Sequence, residues 1–586
     1  MYGMTGLSEN VLLQFDSNFF ESEKQISYIG SGSLGGKAHG LVFINNVLDS
    51  EINLEEFPGF EISIPKMIII CTDIFDSFMK QNDLHQIALS DSPDDRIALA
   101  FQKANLPFEI LGDLRTLISN VHKPLAIRSS SMLEDAMYEP FAGVYGTKMI
   151  PNNQHDIDTR FRKLVEAIKY VYASTYFKAA KDYIKTTRHK TENEKMAIII
   201  QEMVGSRYGD KYYPEISGVA RSYNFYTIGH AKPEDGVVNL ALGLGKTIVD
   251  GGISWAYSPS FPQANPPFAS PSEMLNQTQT NFWAVNMGKP PQYDPINETE
   301  YMIYNNISDA ESDGSLKHIV STYDASADRV WHGLSGAGPR ILTFAPLLIH
   351  KVIPLNNLIK TLLKVSENAL EAPVEIEFAL TFTNDKNNET HCKFGFLQVR
   401  PMVVSTEEVK IEPGELTGNR ILAASESVLG NGIIENIKDI VYLIPDNFNT
   451  RFTKQMADEV ESINNKLINE GRPYVLIGFG RWGTSDPSAG IPVQWGQVSG
   501  AKIIIEATME NVYVEMSQGS HFFHNVTSFK VCYFSIPFAG KYSIDWDWLA
   551  QQELVEETRF VNHVRTKKAL KIKVDGRTSK GLISKF

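Results

Sequence analysis

An apolar strand that runs straight into an arginine and three serines limits what can surround it. Residues 124–146 read PLAIRSSSMLEDAMYEPFAGVYG. The apolar residues 125–127 need a sheet to cover them, which leaves Arg128 near the end of a strand. Ser129, Ser130 and Ser131 follow, then the acidic pair Glu134 and Asp135, then Phe141-Ala142-Gly143. Small hydroxyl and glycine residues leave backbone N–H groups accessible, and such groups cradle phosphate oxygens. An arginine at a strand end can grip a phosphate with two parallel hydrogen bonds. Taken alone, the stretch reads equally as a solvated hairpin carrying one surface arginine.

Upstream, residues 24–29 predict a short strand. It feeds the glycine-rich turn GSGSLGGK at 30–37, and an apolar helical pattern follows at Leu41, Ile44, Val47 and Leu48. A glycine turn entering a helix N-terminus suits an anion. Gly30, Gly32 and Gly35 fit G-x-G-x-x-G, but no following strand ends in an acidic residue about 20 residues on, so a dinucleotide fold is poorly supported. A P-loop fails as well. Ser31 stands where glycine is required, and Ala38 replaces the metal-binding hydroxyl. Lys37, flanked by Gly35 and Gly36, is thus a phosphate-binding candidate outside the P-loop class, or else a solvated lysine beside a helix cap.

Residues 62–71 predict one strand, and 72–79 begin a helix capped by Thr72 or Asp73. Residues 158–185 predict one long helix, with Phe161, Leu164, Val165, Ile168 and Tyr172 on its core face. MAIIIQEMV at 196–204 predicts a buried strand ending in polar Gln201 and Glu202, then Met203. Such a strand end can offer hydrogen bonds to an adenine edge, or it can be plain sheet. Residues 237–252 predict a strand entering a glycine turn with Gly245-Lys246-Thr247. Leu240 stands where a P-loop needs glycine. The Pro-, Ser- and Asn-rich residues 259–297 predict a surface excursion.

The next informative pattern is a hairpin. VEIEFAL at 374–380 places Glu375 and Glu377 on one face by the period of two, and FGFLQVRP at 394–401 does the same for Gln398 and Arg400. Two carboxylates, an amide and a guanidinium can therefore meet at one spot. Oxygen donors suit Mg2+, and the guanidinium suits a phosphate. The alternative is a cross-strand Glu–Arg salt bridge on a sheet face.

Composition narrows the class. The chain has 586 residues, 43% hydrophobic and 21% charged, which is ordinary globular composition for several domains. A net charge of −14 argues against nucleic acid as the main partner, despite a basic cluster near the C-terminus at Arg565, Lys567 and Lys568. Three isolated cysteines, Cys71, Cys392 and Cys532, predict neither a zinc site nor a disulfide framework. The sequence shows no leader pattern and no run near ~18 apolar residues, so a cytoplasmic protein without a membrane segment is expected.

Together these segments resemble the ATP-binding domain of the phosphoenolpyruvate synthase and pyruvate, phosphate dikinase family, which has an ATP-grasp-type fold. The similarity covers about residues 25–405. It is carried by SLGGKAHGL, LAIRSSSMLEDAMYEPFAGVYG, IIIQEMV, SGVA with LALGLGKTIVDGG, and VEIEFAL with FLQVRPM, in the family's order. The resemblance implies that Lys37 and Arg128 hold phosphates, that Gln201, Glu202 and Met203 line the adenine, and that Glu377 and Gln398 ligate Mg2+ with Glu375 in support. It implies that Arg400 stabilises charge on the transferring group. Gly35, Gly36, Ser129, Ser130 and Gly245 complete the implied nucleotide contacts. Two departures stand out: Lys246 replaces a usual acidic residue, and Arg221 interrupts the run after SGVA.

The expected architecture is α/β. An N-terminal ATP-grasp subdomain spans 1–120, and the rest of that domain spans 121–405 with a surface insertion at 260–300. A smaller C-terminal α/β domain spans 406–586. About 180 residues are too few for the family's swivelling domain and its phosphoenolpyruvate barrel. The expected function is ATP- and Mg2+-dependent phosphoryl transfer to an unidentified acceptor, a small molecule or a protein. A homodimer is left open. A non-catalytic ATP sensor and an ATP-grasp ligase are the alternatives. Within GSHFFH, His521 faintly resembles a phosphohistidine turn and is the candidate acceptor, though a structural histidine explains it as well.

Overall fold

The computed structural model describes residues 12–585 apart from 135–142, 186, 188, 226–230, 265–269, 272–273, 276–277, 385–389, 405–408, 485–488, 510–521, 523–524 and 527–528. His521 and residues 135–142 of the serine–glycine stretch therefore lie outside the described residues.

Pro65 decides the first departure from the sequence reading. It cannot donate to a sheet ladder, and residues 62–71 accordingly form two strands, Phe60–Ser63 and Met67–Ile70, in different sheets. Met67–Ile70 lies inside a six-stranded mixed sheet. Its order is Leu13–Gln14, Ile26–Ile29, Met67–Ile70, Met196–Glu202, Leu125–Ser131, Thr147–Ile150. Phe60–Ser63 forms the edge of a second six-stranded sheet, ordered Trp255–Tyr257, Val237–Ala241, Ile216–Arg221, Val374–Asn384, Thr390–Pro401, Phe60–Ser63. The predicted hairpin is the centre of that sheet. Its register pairs Glu375 with Arg400 and Glu377 with Gln398, just before a bulge at Glu377/Phe378.

Helix Gly36–Glu51 packs Leu41, Val42 and Ile44, all fully buried, into the apolar cluster beneath the second sheet. The expected long helix is two helices, Ile157–Ser174 and Lys178–Lys185. The 259–297 stretch is not surface throughout. Asn281–Asn286 pairs with Met302–Asn306 in a four-stranded sheet, and its Phe282 and Val285 are fully buried.

The C-terminal part is built on a nine-stranded sheet. At its centre, Asn431–Leu443, Tyr474–Phe479, Ala501–Ala507 and Cys532–Ile536 run parallel, with helix Thr453–Asn469 as the first crossover. Their apolar stretches, such as 440–443 and Tyr474–Phe479, are buried and need both faces covered. Asp439 is buried in this sheet and held by His563, Arg472 and Arg565. Those partners outweigh the cost of burial and bring its carboxyl down to about 2. One apolar cluster runs without a break from the first sheet into this one.

Candidate functional site

The two six-stranded sheets face each other across a cleft of about 240 Å3. The first sheet supplies Arg128 and Gln201, the hairpin supplies Glu377, Gln398 and Arg400, and helix Gly36–Glu51 supplies Lys37. Residues spread over more than 360 positions of sequence thus meet at one place.

Arg128 is the hub. Its Nη1 donates to the Leu397 carbonyl at 2.9 Å and more weakly to Gln201 Oε1 at 3.4 Å. Its Nη2 donates to Gln398 Oε1 at 2.7 Å and lies 3.6 Å from Glu377 Oε2. Two oxygen donors from adjacent strands therefore converge on one cation. A magnesium ion needs such a hard, incomplete oxygen set, finished by phosphate and water. Among the described residues no cluster of three or more His, Cys, Asp or Glu side chains forms a cage for a metal. Glu377 and Gln398 accordingly fit a metal shared with a nucleotide rather than one held by protein alone.

Glu375 is placed differently from its neighbour. Its carboxylate lies between the guanidinium groups of Arg400 and Arg221, and all three residues are 2–3% exposed. The cross-strand salt bridge thus applies at Glu375, while Glu377 faces the cleft. Arg221, the residue that interrupts the run after SGVA, is the third member of this buried triad.

Lys37 Nζ bonds Glu134 Oε1 at 2.7 Å and Ser129 Oγ at 3.3 Å. Glu134 is 1% exposed and also accepts from the Ser131 amide at 2.9 Å. Ser129 and Ser130 are fully buried, and their hydroxyls bond Glu134 and the Leu34 carbonyl. Neither serine lines the cleft. Gly35 and Gly36 do not line it either. At Gly35, with φ of +77°, a Cβ would lie 1.7 Å from the Ser130 carbonyl oxygen, and at Gly36 one would lie 1.8 Å from that of Glu134. Close chain crossing explains these two glycines. The turn before them is filled from within. The Ser31 and Gly32 amides donate to Asp73, and these bonds overcome burial to hold its carboxyl below its ordinary value. Asp73 is thus no helix cap, and Cys71 occupies the cap position.

At the far end, Gln201 is 2% exposed, and its Nε2 has no hydrogen-bond partner among the described residues. A buried amide left unsatisfied costs about 1–3 kcal/mol, and a base edge would satisfy it. The backbone amides of Glu202 and Met203 already donate to the Lys66 and Pro124 carbonyls. Glu202 itself pairs with Lys123 at 2.7 Å. Gly245 lines the cleft beside Lys246, whose ammonium bonds Asp250 at 2.8 Å. Burial acts against that charge, but Asp250 and Glu298 outweigh it and raise the lysine above its ordinary value.

The model of the pyruvate phosphate dikinase AMP/ATP-binding domain matches residues 31–417. The chain belongs to this family. The α/β, ATP-grasp-type fold expected from the sequence is the fold of the family domain. No curated protein matches the chain. Within the family domain, sequence reading missed Glu298, Asp250 and Glu194. Glu298 directly follows the Pro-, Ser- and Asn-rich stretch 259–297, and no periodicity marks it.

Glu194 gives the fold a pH signature. It is 5% exposed, and burial, reinforced by the nearby Glu134 charge, pushes its carboxyl up to about 7 from an ordinary 4.5. The group is protonated in folded and unfolded chains below about 4.5, and ionises readily only when unfolded between 4.5 and 7. Its contribution to stability is thus full at low pH and lost as pH rises through 7. Glu194→Gln should remove this component, so the variant gains on the wild type in melting temperature as pH rises from 5 to 8. Parallel melting profiles for the two proteins would refute this.

No helix among the described residues is long and apolar enough to cross a membrane.

Proposed function

We propose that this chain is an ATP- and Mg2+-dependent phosphotransferase. The observation that carries the reading is the convergence of Lys37, Arg128, Glu377, Gln398 and Arg400 on one cleft. Loose phosphoryl-transfer transition states need positioning and charge stabilisation more than covalent help. Lys37 and Arg128 hold the phosphates in this reading, the Gln201 amide meets the adenine beside Met203, and Arg400 lies behind the transferring group. Glu377 and Gln398 would hold Mg2+, which would supply neutralisation of phosphate charge. The chain acts as a cytoplasmic enzyme. Its C-terminal part supplies or shapes the acceptor site.

Calorimetry of ATP with and without Mg2+ tests the binding half. The wild type should bind ATP more tightly with Mg2+, and Lys37→Ala should weaken binding at least tenfold. Equal ATP affinity in Lys37→Ala would remove Lys37 from the phosphate site. ATP binding with no turnover under any acceptor would favour the sensor alternative, for which the bond from Arg481 Nη1 to the Gly251 carbonyl, next to the cleft residue Asp250, links the ATP-grasp part to the C-terminal part.

A further inference from the structure

A second space, of about 450 Å3, lies between the ATP-grasp part and the C-terminal sheet. It shares Gly143, Tyr145, Val249, Asp250 and Glu298 with the nucleotide cleft, so the two spaces adjoin. A volume of that order is typical of small-molecule sites. We propose that it is the acceptor site, and that the acceptor is an uncharged or cationic small molecule carrying a hydroxyl on an aromatic or other apolar body. The proposal rests on the phosphotransferase reading above and adds the acceptor's class and place.

The walls give the class. Tyr170 and Phe177 come from the ATP-grasp part, and Trp495 and Phe522 from the C-terminal part. Trp495 is held rigid, stacked on Phe529 at 5.0 Å and edge-on to Phe522 at 5.9 Å. Flat aromatic walls favour an apolar, preferably planar, body. The charged residues that line the space are Asp94, Asp250 and Glu298, with no lysine or arginine among the described lining. Lys246 pairs with Asp250 from the nucleotide side. A carboxylate ligand would meet no counter-charge among the described lining residues and would face like charge. That argues against a pyruvate-like acid and against the ligase alternative. Thr484 and Asn525 supply polar contacts of the kind a hydroxyl needs.

The space is a fixed part of the fold. Tyr183 donates to Asn525 Oδ1 at 3.2 Å and meets the Phe529 ring edge-on at 5.6 Å. Arg481 donates to the Gly251 carbonyl at 2.5 Å, beside the loop that carries Lys246 and Asp250. In the reaction, the acceptor oxygen forms a new O–P bond with its lone pair. The P–O bond to the nucleotide breaks, and its electron pair leaves on the nucleotide. The hydroxyl proton passes to the Glu298 carboxylate and then to water. Burial holds the Glu298 carboxyl above its ordinary value, which suits it to take that proton.

Saturation-transfer NMR on the full chain, with three probes sharing a phenol body, tests this. The probes are tyramine, 4-hydroxyphenylethanol and 4-hydroxyphenylacetate, a cation, a neutral molecule and an anion. The cation and the neutral probe should bind at least tenfold more tightly than the anion. Ala179, half-buried on helix Lys178–Lys185, lines this space and not the cleft. Ala179→Trp should fill the space and weaken both probes at least tenfold, with ATP affinity unchanged within twofold. If that variant misfolds, Glu298→Gln should narrow the gap between the anion and the neutral probe at least threefold. Wild-type protein that binds ATP but none of the probes, or binds the anion equally well, would overturn the proposal and leave the phosphotransferase reading standing. Probe binding without any ATP binding would overturn that reading, and the acceptor role with it.

Discussion

Replacing Arg128 with alanine should lower phosphoryl transfer by about 100- to 1,000-fold, the usual cost of losing one preorganised donor to a developing charge. Arg128 contacts Gln201, Leu397 and Gln398 and approaches Glu377, so it links Gln201 on the first sheet to the hairpin and to the two side-chain oxygens proposed for the metal. Arg128→Lys should recover little, because an ammonium cannot reproduce the planar two-nitrogen fork that reaches two strands at once. The loss should fall mainly on kcat, since the charge it stabilises grows toward the transition state. Steady-state kinetics with a melting curve for each variant checks this. A loss under threefold with an unchanged melting temperature would make Arg128 a strut between sheets and nothing more.

The second large effect concerns stability. Glu375→Gln should destabilise the chain by roughly 3–5 kcal/mol, the cost of breaking a buried ion pair from one side. Arg221 and Arg400, 2% and 3% exposed, would be left as like charges facing a neutral amide. Replacing all three with apolar residues of similar volume should cost less than the single change, because no uncompensated charge then stays buried. Urea unfolding measures both. A cost below about 1 kcal/mol for Glu375→Gln would show that the triad is not held as described.

The hairpin was the most legible part of the site, for a simple reason. A strand's period of two fixes which residues share a face, so Glu375 with Glu377 and Gln398 with Arg400 follow from spacing alone. Register then decides which pairs meet, and it paired Glu375 with Arg400 across the hairpin. Sequence could not foresee that Arg221, on a strand 154 positions earlier, would take the other side of Glu375. The glycine turn was recognisable as a turn, yet its purpose was not. Only the fold brings Asp73 under the Ser31 and Gly32 amides, and only chain crossing explains Gly35 and Gly36. Pro65 and the break between helices Ile157–Ser174 and Lys178–Lys185 interrupt patterns whose apolar periodicity carries on past the break. The space between the two parts was invisible in sequence, since its walls come from segments more than 300 residues apart.

The most direct measurement of the central claim is a product assay. Pure protein is incubated with ATP, Mg2+ and 4-hydroxyphenylethanol, and nucleotides and acceptor are resolved by chromatography and mass spectrometry. The account predicts ADP or AMP together with a phosphorylated acceptor, both formed about 100- to 1,000-fold more slowly in Arg128→Ala and both abolished by chelating Mg2+. Tight ATP binding that yields neither product with any hydroxyl acceptor, and no phosphate on the protein itself, would contradict it.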